Sequence, residues 1–247
     1  MFVKIQLKRM IGLAATLVVS MSLWSHGAAA NDYVVISSNV SALSPGKTVA
    51  ASETLNIPTL RKVVLVNASG LTVVLKGPYN GKPGAPAKGG SSKLVTALAS
   101  LVKTTQKDLS SIGAIRAANI KTFRDAMMVN ISETGDYCKT SKAPPELTRY
   151  QSESARQVTV TSAQDGKKVD LNWKKGQKSI LWPTQINYQA GATYLVQQEG
   201  KDSRTMLVAR EVSGNFATKI HLIMAVAQKG CLEQAKMLLA LLKNSAK

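Results

Sequence analysis

The chain is 247 residues long and 45% hydrophobic, enough apolar material to bury a core, which excludes wholesale disorder and low-complexity classes. Its composition also excludes collagen, coiled-coil and polytopic-membrane proteins. Thirty-two Lys and Arg against 14 Asp and Glu give a formal charge of +18, the feature of the composition that bears most directly on partners.

Residues 1–30 open with Lys4, Lys8 and Arg9, continue through an apolar run from Met10 to Trp24, and close on Ala28, Ala29 and Ala30. This is the layout of a cleavable export signal. A spanning helix needs about 20 apolar residues, whereas Ser20, Ser22, Ser25 and His26 interrupt this run. Cleavage is therefore expected, leaving no transmembrane segment and placing the protein in the periplasm or outside the cell. No cysteine follows the cleavage site, so lipid attachment of the bacterial lipoprotein kind is not expected.

Residues 31–80 read as an N-terminal β module. Val34 to Ile36, Val63 to Val66 and Leu71 to Leu75 are β-branched or aliphatic runs, separated by Pro45-Gly46, Ile57-Pro58 and Ser69-Gly70. Short strands with this punctuation predict a small β-roll or sandwich. Residues 81–90 stack Gly, Pro and Lys and read as a linker or exposed loop.

Residues 91–128 read as helical. Leu94, Val95, Leu98, Leu101 and Val102 recur at three- and four-residue intervals, predicting an amphipathic helix to about Gln106, followed by a weaker helical or loop stretch through Ile112, Ile115 and Ile120. Residues 129–213 return to period two. Val158 and Val160 share one strand face, Asp165-Gly166 is a turn signal into Val169, Leu171 and Trp173, and further strands are expected around Ile180, at Thr193 to Val196 and at Thr205 to Ala209. Five or so short strands predict an immunoglobulin-like or fibronectin-like β-sandwich, with Trp173, Trp182 and Tyr194 in its core. A ligand-stacking role is the alternative for the two tryptophans. In residues 214–247, Phe216, Ile220, Ile223, Met224 and Ala227 form one apolar stripe, Gly230 stops it, and Leu232, Ala235, Leu238, Leu239 and Leu242 form another, predicting an αα-hairpin. The fold class expected is thus mixed, mainly β with helices.

Cys138 and Cys231 are the only cysteines. Their spacing is far from the Cys-x-x-Cys of redox catalysts and from clustered zinc ligands. In an oxidising compartment an even count predicts a structural disulfide, two free thiols being the alternative. Such a bridge would pin the terminal hairpin to the sandwich.

Within residues 44–79, Pro45-Gly46, the run from Glu53 to Pro58 and the closing Leu75-Lys76-Gly77-Pro78-Tyr79 resemble the periplasmic β region of FecR-type proteins and related bacterial envelope proteins. The resemblance implies a β-roll and a role in sensing, scaffolding or surface binding. FecR-type proteins carry a cytoplasmic domain and a retained membrane segment, so sigma-factor regulation is not carried over. The central block and tail are similar to companion domains of exported proteobacterial proteins of unknown function, which implies architecture and no mechanism.

The residues present no catalytic signature. After the export signal only His221 remains to serve as a base, on an apolar helical stripe where a packing histidine is expected, and no Gly-x-Ser-x-Gly elbow or phosphate-cradling glycine loop occurs. Glu53, Asp108, Asp125, Glu133 and Asp136 do not single out an acid and base by spacing, although a glycosidase-type pair can assemble in three dimensions. No catalytic, cofactor-binding or metal-ligating residues are assigned, and no cofactor is expected. Lys167, Lys168, Lys174, Lys175 and Lys178 fall on adjacent turns of the predicted hairpins and are the candidate polyanion-binding residues; lysines that serve only solubility are the alternative. The export signal and 5% aromatic content disfavour cytoplasmic nucleic acid as a partner. The expected function is that of an exported, non-catalytic binding or scaffolding protein of the bacterial envelope. Its partner would be an envelope protein or an anionic envelope polymer or lipid. An envelope hydrolase with a carboxylate site is the alternative.

Overall fold

A computed structural model describes residues 32–84, 92–108, 120–141, 144–149 and 151–245. The expected export signal lies outside the described residues, as do Ile112, Ile115 and most of the expected linker.

The N-terminal module contains six strands: β1 (Tyr33–Ser38), β2 (Thr48–Val49), β3 (Leu55–Ile57), β4 (Lys62–Asn67), β5 (Thr72–Lys76) and β6 (Tyr79–Gly81). An antiparallel sheet has the order β2-β1-β4-β5, and β3 pairs with β6 in a separate two-stranded sheet. The aliphatic runs arise because the two central strands bury both faces. Val34, Ile36, Val64 and Val66 enter a core shared with the helices, while Tyr33, Val35, Val63 and Leu65 pack with Leu43, Val49, Leu55 and Ile57 on the other side. A strand buried on both faces has no polar alternation to show. Strands β1, β4 and β5 fall on the three expected runs, whereas β2, β3 and β6 are additional, β3 ending on an expected separator; among the described residues no ladder joins the β3·β6 pair to the larger sheet, so closure into a roll is not seen. Strand β6 ends at Gly81, inside the expected linker, and the Gly84 carbonyl accepts a hydrogen bond from Tyr33 Oη at 3.1 Å, which ties the start of that segment back to β1.

Helix α1 (Ser92–Asp108) places Val95, Leu98, Ala99, Leu101 and Val102 in the shared core, as its periodicity predicts. Helix α2 (Phe123–Ala126) is a single turn set by a capping box: Thr122 Oγ1 accepts from Asp125 N at 3.1 Å, and the Asp125 carboxylate accepts from Thr122 N at 2.8 Å.

The central block contains β7 (Val129–Asn130), β8 (Gly135–Thr140), β9 (Glu146–Thr148), β10 (Arg156–Ser162), β11 (Lys168–Trp173), β12 (Ser179–Leu181), β13 (Thr193–Gln198) and β14 (Arg204–Val212). They form a five-stranded sheet, β11-β10-β13-β14-β8, and a three-stranded sheet, β12-β9-β7. The β14·β8 and β7·β9 pairs are parallel. Both sheets contribute to one apolar cluster that includes Val129, Leu147, Val158, Val160, Trp173, Trp182, Tyr194 and Leu207. The tryptophans are therefore core residues, 1% and 6% exposed, rather than stacking platforms for a ligand. The strands that the sequence does not announce are β7, β8 and β9. Each is short or interrupted by polar residues, and each is held by a partner distant in sequence.

Helices α3 (Lys219–Gln228) and α4 (Leu232–Ser245) pack on each other as the expected C-terminal pair. Their corner is a Schellman motif: Gly230 has φ +87°, its N–H reaches the Ala227 carbonyl at 3.0 Å, and Cys231 N–H reaches the Val226 carbonyl at 3.2 Å. That geometry turns Cys231 inward, where it bonds Cys138 of β8 with Cα atoms 5.9 Å apart. The predicted disulfide is present. The helices are not an appendage, because α1, α3 and α4 share one core with β1, β4, Cys138 and Val212. They form a layer between the N-terminal sheet and the edge of the central block.

Candidate anion-binding site around Arg149

The five candidate lysines are all exposed, but they do not form one cluster. Lys167 and Lys168 lie at the β10–β11 turn, with Lys168 opposite Thr161, whereas Lys174 and Lys175 follow Trp173, which stands opposite Arg156. The two groups sit at opposite ends of β11. At about 3.3 Å per residue, roughly 20 Å of strand separates them. The expectation that adjacent turns bring all five together is corrected by strand direction, because consecutive turns of a meander alternate between its two ends.

Lys174, Lys175 and Lys178 belong to a loop folded around a residue that the sequence did not single out. Arg149, immediately after β9, is 5% exposed. Its Nε donates to the Gln177 carbonyl at 3.2 Å and its Nη2 to the Lys174 carbonyl at 2.7 Å, while its backbone N–H reaches the Lys178 carbonyl at 3.2 Å. The loop closes on itself through Lys174 N–H to Gln177 Oε1 at 3.0 Å, and Gly176, with φ +79°, donates to the Ser152 carbonyl at 2.6 Å. Beneath lies Trp173, whose ring centroid is 5.2 Å from the Arg149 guanidinium carbon, a cation–π contact. Carbonyls of the loop thus face the arginine and its lysine side chains remain exposed.

Three buried polar side-chain atoms in the described residues lack a hydrogen-bond partner: Arg149 Nη1, Asn130 Nδ2 and Trp173 Nε1. All are donors. Arg149 touches Trp173 and shares a cavity wall with Asn130, so the three belong to one locality. The Asn130 amide is oriented by its own turn, since Oδ1 accepts from Ser132 N–H at 3.1 Å, leaving Nδ2 as the free end. A buried donor without an acceptor costs about 1–3 kcal/mol, and a charged one costs more. Burial pushes the Arg149 pKa below its ordinary value, with Arg156 acting in the same direction and Glu153 opposing them. The guanidinium nevertheless stays protonated at neutral pH.

Two cavities flank Arg149. One, of about 270 Å³, is lined by the polar residues Lys121, Asp125, Asn130, Thr148, Arg149, Lys178 and Ser179 and by the apolar Ile120, Met128 and Met237. The other, of about 210 Å³, is bounded by Ser132, Arg149, Arg156, Gln198 and Lys201. Arg156 Nη1 donates to Gln198 Oε1 at 2.9 Å, and Gln198 Nε2 donates to the Ile131 carbonyl at 3.0 Å, fixing the wall between them. Glu153 acts on Arg149 through space, and two other carboxylates of the neighbourhood are engaged elsewhere. Asp125 accepts from the backbone of Lys121 and Thr122, and Glu146 accepts from Arg124 Nη2 at 2.8 Å and from Ser179 Oγ at 2.5 Å. The locality is therefore rich in donors and cationic, suited to hold an acceptor.

His221 lies elsewhere, on α3, with Nδ1 2.8 Å from Thr218 Oγ1 at the helix N-cap. Among the described residues, no three His, Cys, Asp or Glu side chains gather as a metal site. Asp136 pairs with Arg210 at 2.7 Å and Glu211 with Lys139 at 2.9 Å. Arg149 carries no sequence signal because its partners lie 25 and 28 residues away and the strand before it is only three residues long. No helix among the described residues is long and apolar enough to cross a membrane. Compared with known proteins, the chain matches no family model and no curated protein.

Proposed function

We propose that the protein is an exported, non-catalytic binding or scaffolding protein of the bacterial envelope that meets anionic envelope lipid through the loop carrying Lys174, Lys175 and Lys178. The observation that carries this reading is the fixed cationic loop: Arg149 holds its backbone from beneath through three hydrogen bonds, so three exposed lysines project from a shaped surface. A rigid cationic surface meets a polyanion with less ordering cost than mobile side chains on a floppy turn. Export rests on the signal-like residues 1–30 and accords with the disulfide, since such bonds persist in oxidising compartments. The FecR-like reading of residues 44–79 remains part of this proposal; that stretch contributes β2 to β5 and the first residue of β6.

The central block is read as immunoglobulin-like. Its five-stranded order, with a first strand parallel to the last, is in keeping with that architecture, and so is Tyr194 near the start of β13, whose hydroxyl bonds back to the Asn187 carbonyl at 2.5 Å and accepts from Gln189 N–H at 2.8 Å. The parallel pairing of the two-residue β7 departs from the usual pattern. Such modules are surfaces for contact, which agrees with a binding role.

The test is co-sedimentation with phosphatidylglycerol-containing and purely zwitterionic vesicles across a salt series. Salt-sensitive binding to the anionic vesicles alone, weakened by K174Q/K175Q/K178Q, is expected. Equal binding by that variant and the wild type, or no salt-dependent binding by the wild type, overturns the reading.

A further inference from the structure

We infer that the cavity walled by Asn130, Arg149 and Lys178 is a discrete binding site for a carboxylate carried on a small, partly apolar group. The inference goes beyond the lipid-binding reading, because it concerns buried donors of the cavity rather than the exposed lysine surface.

Four observations converge. Arg149 and Asn130 are 5% and 4% exposed, each ends in a donor without a partner, and both line the same cavity of about 270 Å³. The arginine has no carboxylate within ion-pair distance among the described residues; two of its donors go to neutral carbonyls. The Asn130 amide is locked with its nitrogen as the free end. Lys121 and Lys178, both exposed, add cations to the same lining, whereas Asp125, the carboxylate there, accepts two backbone N–H groups at Oδ2. A buried cation and a buried amide N–H group in the lining of one cavity call for an acceptor that is itself charged.

The size and lining narrow its chemistry. Ile120, Met128 and Met237 add apolar surface to the same lining, a mixture that suits a carboxylate joined to a short aliphatic or acylated group better than a fully solvated phosphate or sulfate. A carboxylate has two coplanar acceptor oxygens, one for the guanidinium and one for the amide. The carboxyl terminus of a short peptide and a free small carboxylic acid share this chemistry.

The experiment is isothermal titration of the full chain with N-acetylalanine and propionate, as stand-ins for the two sources, with N-acetylalaninamide, inorganic phosphate and sulfate as controls. Saturable binding of a carboxylate is expected, at least tenfold tighter than that of the amide, phosphate or sulfate. Tighter N-acetylalanine than propionate identifies the peptide terminus, and the reverse identifies the free acid. Asn130→Asp keeps an oxygen for Ser132 N–H and turns the second oxygen, now anionic, toward the ligand. That variant should lose at least tenfold in carboxylate affinity while its vesicle binding stays at the wild-type level. Arg149→Gln removes the loop anchor as well, so it should lose carboxylate affinity and vesicle binding together; Asn130→Asp leaves the anchor in place and separates the two. No saturable carboxylate binding by the wild type overturns the inference, as does equal binding of phosphate or an Asn130→Asp variant that binds as well as the wild type. None of these outcomes bears on the lysine triple variant, so the two readings fail separately.

Discussion

The Gln234 side-chain amide pairs with both backbone groups of Cys138, accepting its N–H at 2.6 Å and donating to its carbonyl at 3.2 Å. Gln234 is fully buried and lies one helical turn beyond Cys231, the disulfide partner of the same Cys138. Strand β8 is the last strand of its sheet, and an edge strand leaves backbone groups without a ladder. Here the amide of one glutamine takes the place of a neighbouring strand, while the disulfide beside it holds the helix at that distance. Helix α4 covers the edge by a covalent bond and a bidentate hydrogen-bonded pair acting on one residue.

Gln234→Leu should therefore destabilise the protein by about 2–4 kcal/mol, because it strands two buried backbone groups rather than one. Gln234→Glu keeps an acceptor and, when protonated, an O–H donor for the Cys138 carbonyl, so it should then stay near wild type; ionised, it loses the donor and sets a buried carboxylate against that carbonyl, and should be worse. Urea unfolding of the oxidised proteins measures both. A loss below about 0.5 kcal/mol for Gln234→Leu would show that water replaces the amide.

The disulfide closes a separation of 93 residues. Chain entropy assigns such a loop about 4–5 kcal/mol. The C138S/C231S double variant should lose an amount of this order by denaturant unfolding, and non-reduced protein should show no labelling of either thiol.

Gly70 and Gly166 separate two ways in which a glycine is needed. Both have positive φ, +78° and +70°. A Cβ at Gly70 would stand 2.5 Å from Thr218 Oγ1 and 3.0 Å from the His221 ring, where the β4–β5 turn meets the N-cap of α3, whereas a Cβ at Gly166 meets nothing within 4 Å. Gly166→Ala should cost only the backbone term of about 1 kcal/mol. Gly70→Ala should cost at least about 2 kcal/mol, since steric displacement of a helix cap adds to the same backbone term. Thermal unfolding of the two variants checks the order.

The split of the lysines predicts unequal variants. K174Q/K175Q/K178Q should lower anionic-vesicle affinity several-fold, and K167Q/K168Q should lower it less, because the second pair lies at the far end of β11. Exposed lysines contribute within about 0.5 kcal/mol each, so both variants should keep their unfolding midpoints. Equal loss from the two would indicate diffuse attraction to net charge.

Export predicts a processed product. Intact mass of protein secreted by a bacterial host should place the N-terminus at or within a few residues of Asn31. A dominant species retaining Met1 counts against the signal reading.

Features that are local or unique are legible in the residues alone. Leu98 and Val102 lie on the buried face of α1 because a helix returns to the same side every three or four residues. Val158 and Val160 face inward because a strand alternates, and Gly230 ends α3 because positive φ costs glycine little. Cys138 had one possible partner. The remaining features depend on which distant segments meet. Runs buried on both faces, such as Val63 to Val66, do not reveal what covers each face, and the layer formed by α1, α3 and α4 against β1 and β4 emerges only when the strands pair. The lysine turns could not be placed without strand direction. Arg149 carries no local mark: its burial comes from Trp173 and from carbonyls of the loop beyond it, a chain segment that returns to Arg149 only because β12 pairs with β9. Side-chain periodicity reports the face of an element, and long-range pairing decides what that face meets.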